Sequence, residues 1–211
     1  MFPKKLNQHL SDTSVIAVLV IDNADHAIPL THALLEGGIT AMELTLRTPA
    51  AMEALSRILK VPEMTTGVGT VLTPEQVSAV TSAGAAFGVA PGLNPRVIEK
   101  ADSLNFSFAP GIVTPSELEK AVEMGCNTLK FFPAEASGGM AYLKSMAGPY
   151  QFLGLKFIPL GGLNLTNART YLDSPLVCAI GGSWIAKREL IQNQDWETIT
   201  KNASDIMACI K

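Results

Sequence analysis

Short apolar runs recur along the whole chain, and helix-patterned or polar segments separate them. They read "VIAVLVI", "AMELTL", "TTGVGTV", "FGVA", "FSFAP", "TLKFF", "LKFIPL" and "LVCAIGG". Their length and their β-branched and aromatic content predict strands. The intervening "ADHAIPLTHALLEGG" and "TPSELEKAVEMG" space apolar residues three and four apart, as a helix with one buried face requires. Strand and helix in alternation predict βαβ units and a parallel sheet. No Pro/Ser-rich linker or shift in composition divides the chain, so residues 1–211 read as one domain.

The pattern also repeats weakly. "VLTPEQVSAVTSAGA" at 71–85 and "IVTPSELEKAVEMGC" at 112–126 share a Thr-Pro start and a glycine near the end. Thr73 and Thr114 suit the N-cap, and the prolines that follow suit the first helical position. Gln76 and Glu117, three residues on, complete capping boxes. Gly84 and Gly125 can end those helices in a left-handed conformation. "RTPAAMEAL" at 47–55 opens the same way. Repeated units of strand, Thr-Pro cap and short helix predict an α/β fold, a closed (β/α)8 TIM barrel. A doubly wound open sheet ranks second, because "VLVIDNADHA" lacks a Gly-rich turn after the first strand.

Period-two geometry picks out side chains that do not suit a core. In "AMELTLRTP", Met42, Leu44 and Leu46 share one face, while Glu43, Thr45 and Arg47 share the other. In a barrel the greasy face lies under the helices and the polar face points inward, where charges are costly unless paired or facing a ligand. A structural Glu43–Arg47 ion pair is the plain alternative. In "NTLKFFPAE", Thr128, Lys130 and Phe132 share a face, and Pro133 ends the strand, which puts the lysine amine near the barrel mouth. It either snorkels to water along its stem or acts chemically.

An ordinary lysine, with pKa ~10.4, is unprotonated in only about one molecule in a thousand near neutral pH. An apolar wall such as Phe132 and a guanidinium such as Arg47 both favour the neutral amine. A neutral amine can attack a ketone to give a Schiff base, with Glu43 moving protons. Gly161 and Gly162 in "PLGGLN", and Gly181, Gly182 and Ser183 in "IGGSW", follow the last two predicted strands. Loops there often hold phosphate in barrels, since glycine lets backbone N–H groups approach an anion closely. Thr70 in "GVGTV" offers a hydroxyl at a strand end.

Composition narrows the function further. Apolar residues are 47% and charged residues 17%, enough for a large core, and the net charge of −3 with no Lys/Arg run gives no footprint for nucleic acid. Cys126, Cys178 and Cys209 are odd in number and far apart, which suits a reducing cytoplasm. No apolar run approaches a membrane span, and "MFPKKLNQHLSDTSV" has no signal-peptide core, so a cytoplasmic protein without membrane partners is expected. His9, His26 and His32 have no metal-like spacing, so no metal or other cofactor is expected. Walker A, G-x-G-x-x-G and G-x-S-x-G motifs are absent. Trp184, Trp196 and the methionines read as packing groups.

"ELTLRT", "GVGTVL", "APGLNP", "LKFFPAE", "PLGG" and "GGSW", in this order, resemble the 2-keto-3-deoxy-6-phosphogluconate (KDPG) aldolase family, some members of which also act on 4-hydroxy-2-oxoglutarate. The resemblance implies a (β/α)8 barrel, a homotrimer, class I chemistry without metal, and a phosphorylated keto acid and pyruvate as small-molecule partners. It matches Lys130 to the Schiff-base lysine and Glu43 to the general acid–base. Arg47 and Thr70 match residues at the pyruvate carboxylate, Pro91 and Phe132 match pocket walls, and Gly161, Gly162 and Ser183 match the phosphate site. "KKLNQHLSD" matches a leading helix that plugs the barrel floor. Leu160 departs from the pattern, since many relatives carry threonine there. That change points to the related phosphogalactonate aldolases, whereas Arg47 and "GGSW" favour phosphogluconate. A non-catalytic phosphosugar-binding barrel and a phosphosugar isomerase stay open as rivals.

Overall fold

The computed structural model describes residues 2–210. The first half runs α1 (Lys4–Thr13), β1 (Val15–Leu19), α2 (Ala27–Glu36), β2 (Ala41–Thr45), α3 (Ala51–Ile58), β3 (Thr65–Gly69), α4 (Pro74–Ala83), β4 (Phe87–Val89) and α5 (Pro95–Ser103). The second half runs β5 (Phe108–Ala109), β6 (Gly111–Ile112), α6 (Pro115–Glu123), β7 (Thr128–Phe131), α7 (Gly139–Ala147) and β8 (Lys156–Pro159). It ends with α8 (Ala168–Leu172), β9 (Ile180–Gly182), α9 (Arg188–Gln192) and α10 (Trp196–Ile210). Each of the predicted strand runs therefore contains a strand. Among the described residues no helix is long and apolar enough to cross a membrane.

All ladders are parallel, and they form two arcs: β5-β4-β3-β2-β1-β9 and β6-β7-β8. This is a curled α/β sheet, and the described ladders do not close into the continuous ring expected from the sequence. The break between β5 and β6 falls at Pro110, which has no N–H to donate. Its carbonyl still accepts from the Lys130 amide at 2.9 Å, so the chain passes from one arc into the other without leaving the sheet. At the other seam two isolated parallel bridges, Phe157 with Val177 and Leu160 with Gly181, join β8 to β9 and the residues just before it.

The period-two split of side chains sorts the core into two layers. Val15, Ala17, Leu19, Met42, Leu44, Leu129 and Phe131 pack outward among residues of the helices. Ile16, Val18, Ala41, Val89, Ala109, Ile158 and Leu160 pack inward in a separate cluster. Phe2 and Leu10, from the leading segment, belong to that inner cluster and close its floor. Polar bonds hold α1 beneath the strands: Thr128 donates its hydroxyl proton to Asn7 Oδ1 at 2.9 Å, and His9 Nε2 lies 2.7 Å from the Thr65 hydroxyl.

Local helix signals hold where the sequence is specific. Thr73 and Thr114 each complete a capping box, and Gly84 ends α4 at φ +97. "RTPAAMEAL" behaves differently. The helix begins at Ala51 with no side-chain cap, and the Thr48 hydroxyl donates instead to the Ile21 carbonyl. A hydroxyl in reach of a neighbouring loop's free carbonyl has left the capping role for a tertiary one.

Candidate active site

Because every strand runs the same way, the residues at the strand ends gather on one side of the sheet. There they enclose a cavity of about 300 Å³, at the lower end of the size range for small-ligand sites. Glu43 and Thr45 come from β2, Lys130 from β7, and Thr70 and Pro91 from the loops after β3 and β4. Phe132, Leu160, Gly161 and Ser183 line the cavity from the ends of the last three strands, and Arg47 stands at its rim. Gly162, also expected in the site, is next along the chain and is turned against Glu135. Val18 and Gly181 complete the wall.

Lys130 is 5% exposed and Glu43 3% exposed. The lysine Nζ donates to Glu43 Oε1 at 3.2 Å and lies 3.4 Å from Oε2. Burial this deep excludes a lysine that snorkels to water. Glu43 pairs with Lys130 across the sheet, so the Glu43–Arg47 pair considered from the sequence is not made. Arg47 is exposed, and its guanidinium is left to face the cavity mouth. Lys130 Nζ also sits 5.5 Å above the centroid of the Phe132 ring.

This arrangement depends on a residue that sequence reasoning did not single out. Any Cβ on Gly69 would collide with the Glu43 carboxylate. Glycine at the end of β3 thus opens the space through which Glu43 reaches Lys130. The next residue, Thr70, has φ +59, which a β-branched side chain adopts only at an energetic cost of about 1–3 kcal/mol. Strain of this kind, held at a cavity wall by the surrounding fold, places the hydroxyl where a relaxed backbone would not.

Opposite the ion pair, Gly161 and Gly162 turn with φ +96 and +84. Among the described residues, the backbone N–H groups of Gly162 and Ser183 have no hydrogen-bond acceptor. Donors left unpaired at strand ends form an anion-accepting surface. The cysteines take no part: burial pushes the Cys178 thiol up to about 12 and Cys126 to about 11, so both stay protonated. A larger hollow of about 540 Å³ lies near the start of β8, between Lys144, Tyr150 and Lys156, and none of its lining residues is a carboxylate. The three histidines also stand apart from the cavity: His26, for example, packs edge-on to Trp196.

An amine and a carboxylate, enclosed together at the C-terminal mouth of parallel strands, define a class of enzyme in which lysine bonds to a carbonyl substrate while an acid moves protons. Residues 6–202 match the family model described as "KDPG and KHG aldolase". A curated 2-dehydro-3-deoxy-phosphogluconate aldolase of Haemophilus influenzae is 40% identical over 210 residues, covering 99% of this chain and 98% of the relative. The KHG/KDPG aldolase of Escherichia coli K12 is 41% identical over 197 residues, covering 93% and 92%. The solved KDPG aldolase of Legionella pneumophila, with pyruvate captured as a covalent carbinolamine, superposes with a TM-score of 0.89 at 39% identity, covering 95% of this chain and 97% of that one. The chain belongs to the KDPG and KHG aldolase family.

A buried ion pair is a poor source of stability, because desolvating two charges offsets most of their attraction. The double variant Lys130→Met/Glu43→Gln is therefore expected to unfold at the same or higher urea concentration than the wild type while losing all aldol cleavage. A markedly lower midpoint would show that the pair serves the fold.

Proposed function

We propose that the two arcs form one (β/α)8 barrel and that its mouth is the active site of a class I aldolase. The reaction is reversible cleavage of 2-dehydro-3-deoxy-6-phosphogluconate to pyruvate and glyceraldehyde 3-phosphate, with 4-hydroxy-2-oxoglutarate as a second substrate. The buried Lys130–Glu43 pair carries this reading. Pro110 and the Leu160–Gly181 bridge support the closed ring.

The distance between Lys130 and Glu43 supports a stepwise route. Glu43 accepts a proton from Lys130, which converts the ion pair into two neutral groups and frees the nitrogen lone pair. Nζ adds to the C2 ketone to give a carbinolamine; Glu43 then returns its proton to the carbinolamine hydroxyl, which leaves as water, giving the protonated imine beside an ionised Glu43. Glu43, directly or through a water, then takes the proton of the C4 hydroxyl. The C3–C4 bond breaks, its electron pair moves into the C2–nitrogen system as an enamine, and the aldehyde departs. Glu43 gives that proton to C3, which restores the protonated imine, and hydrolysis releases pyruvate and regenerates the Lys130–Glu43 ion pair. Arg47 and Thr70 receive the carboxylate; a planar, always-charged guanidinium suits that bidentate role. Pro91 and Phe132 wall the reacting carbons. Gly161, Gly162 and Ser183 receive the phosphate through their free donors.

Leu160 replaces a hydroxyl-bearing residue expected near C4 with a buried apolar side chain, 4% exposed and packed over Gly181. With no donor there, the C4 hydroxyl is fixed mainly by Glu43. Three free cysteines, two of them buried, suit a reducing cytoplasm. A homotrimer in solution accompanies this reading, and Phe152, 83% exposed beside Leu153, offers apolar surface for contact between copies.

Incubation with pyruvate and borohydride should add a covalent adduct at Lys130, readable by peptide mass. A binding protein or an isomerase would stay unmodified. Lys130→Ala should abolish cleavage, and Glu43→Gln should slow it by at least about a hundredfold, within the range for lost general acid–base catalysis, while some imine is still trapped. Wild-type protein should cleave the two C4 epimers at rates within about tenfold, since no polar contact from Leu160 separates them. Leu160→Thr should widen that ratio in favour of the gluconate configuration; an unchanged ratio would remove Leu160 from the specificity argument. Light scattering should give three times the 22.4 kDa chain mass, and a monomer at micromolar concentration would refute the trimer.

A further inference from the structure

Glu135 stands beside the glycine turn, an awkward place for a carboxylate if that turn receives a phosphate. The β carbon of Glu135 lies 2.6 Å from where a Cβ on Gly162 would sit. Its amide donates to the Gly161 carbonyl at 3.0 Å, and the preceding Ala134 amide donates to the Leu160 carbonyl at 2.8 Å. The backbone of the segment after β7 thereby holds the turn after β8. The carboxylate itself points elsewhere, since Tyr171, on α8, donates its hydroxyl proton to Glu135 Oε1. Tyr171 is 1% exposed, so its ring is fixed in the core and its hydroxyl is a rigid post. Burial, and then the bond to Glu135, push the phenol above its usual range, so it remains a donor at neutral pH.

We propose that Glu135 and Tyr171 form a positioning pair: the buried tyrosine holds the Glu135 carboxylate away from the Gly161–Gly162 turn, keeping the turn's free N–H groups available to the substrate phosphate. This rests on the reading of that turn as the phosphate site. If the hydroxyl is lost, an unanchored carboxylate remains within reach of those same donors. It then competes for them as an internal anion and repels the incoming one. Neither residue lines the reacting cavity, so bond formation at Lys130 does not involve them.

The test uses variants that separate the charge from the bond. Tyr171→Phe keeps the ring and removes the donor. Glu135→Asp, on the exposed side, keeps the charge but is too short to reach the hydroxyl. Both should raise KM for the phosphorylated keto acid, and Ki for inorganic phosphate as a competitor, by about tenfold. Both should leave kcat, and borohydride trapping with pyruvate, within about twofold. Glu135→Gln keeps an acceptor and carries no charge, and should stay within about threefold of wild type in every measure. The same keto acid without its phosphate should be cleaved alike by all four proteins. Unchanged KM and Ki in Glu135→Asp, or a Glu135→Gln loss as large as that of Glu135→Asp, would overturn the pair. If inorganic phosphate fails to compete in the wild type, the phosphate reading itself falls, and that result is distinct from a failure of the pair alone.

Discussion

An ammonium and a carboxylate 3.2 Å apart, both almost fully buried, are the constraint around which the rest of the molecule is organised. Removing such charges from water costs several kcal/mol per ion, and their mutual attraction only roughly offsets that loss. The fold gains little from holding the pair, so the explanation lies in chemistry. A nucleophilic amine must give up its proton, and Glu43 is at hydrogen-bond distance to take it.

Holding the pair places demands on distant parts of the chain. Glu43 sits on β2 and Lys130 on β7, 87 residues apart in sequence. They meet because the sheet curls, which brings the concave faces of strands from different arcs toward one another. Gly69 leaves out the Cβ that would block Glu43, and Thr70 accepts a left-handed backbone immediately afterwards. Below, Phe2 and Leu10 pack into the inner cluster as its apolar floor.

The sequence made much of this legible because period-two alternation records which face a residue occupies. It put Glu43 and Lys130 on inward faces, and it located the strand ends where Thr70, Leu160, Gly161 and Ser183 gather. Alternation does not record cross-strand register, however. That is why Arg47, four residues along the same strand run, is the ion-pair partner considered for Glu43 from the sequence, and the pairing with Lys130 from β7 is not foreseen. Gly69 was hidden for a related reason, since its importance depends on a side chain from the adjacent strand. Thr48 shows the limit of local rules: the Thr-Pro signal was present, but a free carbonyl at Ile21 captured the hydroxyl. Pro110 was visible within "FSFAP", and its missing N–H explains why the ladder splits there into two arcs.

On the proposed reading the two ends of the substrate would meet different materials. The keto-acid end would meet one buried nitrogen and one mobile proton, both held on rigid strand residues. The far end, several atoms away, would meet backbone donors on a glycine turn rather than a second buried cation. That economy has a consequence. Backbone N–H groups donate to any nearby carboxylate, whereas a lysine or arginine would neutralise it. A site built from unpaired amides must therefore control the acids around it. Glu135 is the acid adjacent to this turn, and the donor that restrains it is the phenol of Tyr171, anchored in the core on α8. On that reading, affinity for phosphate at the turn would rest on the placement of its amides, which core packing outside the cavity helps to set.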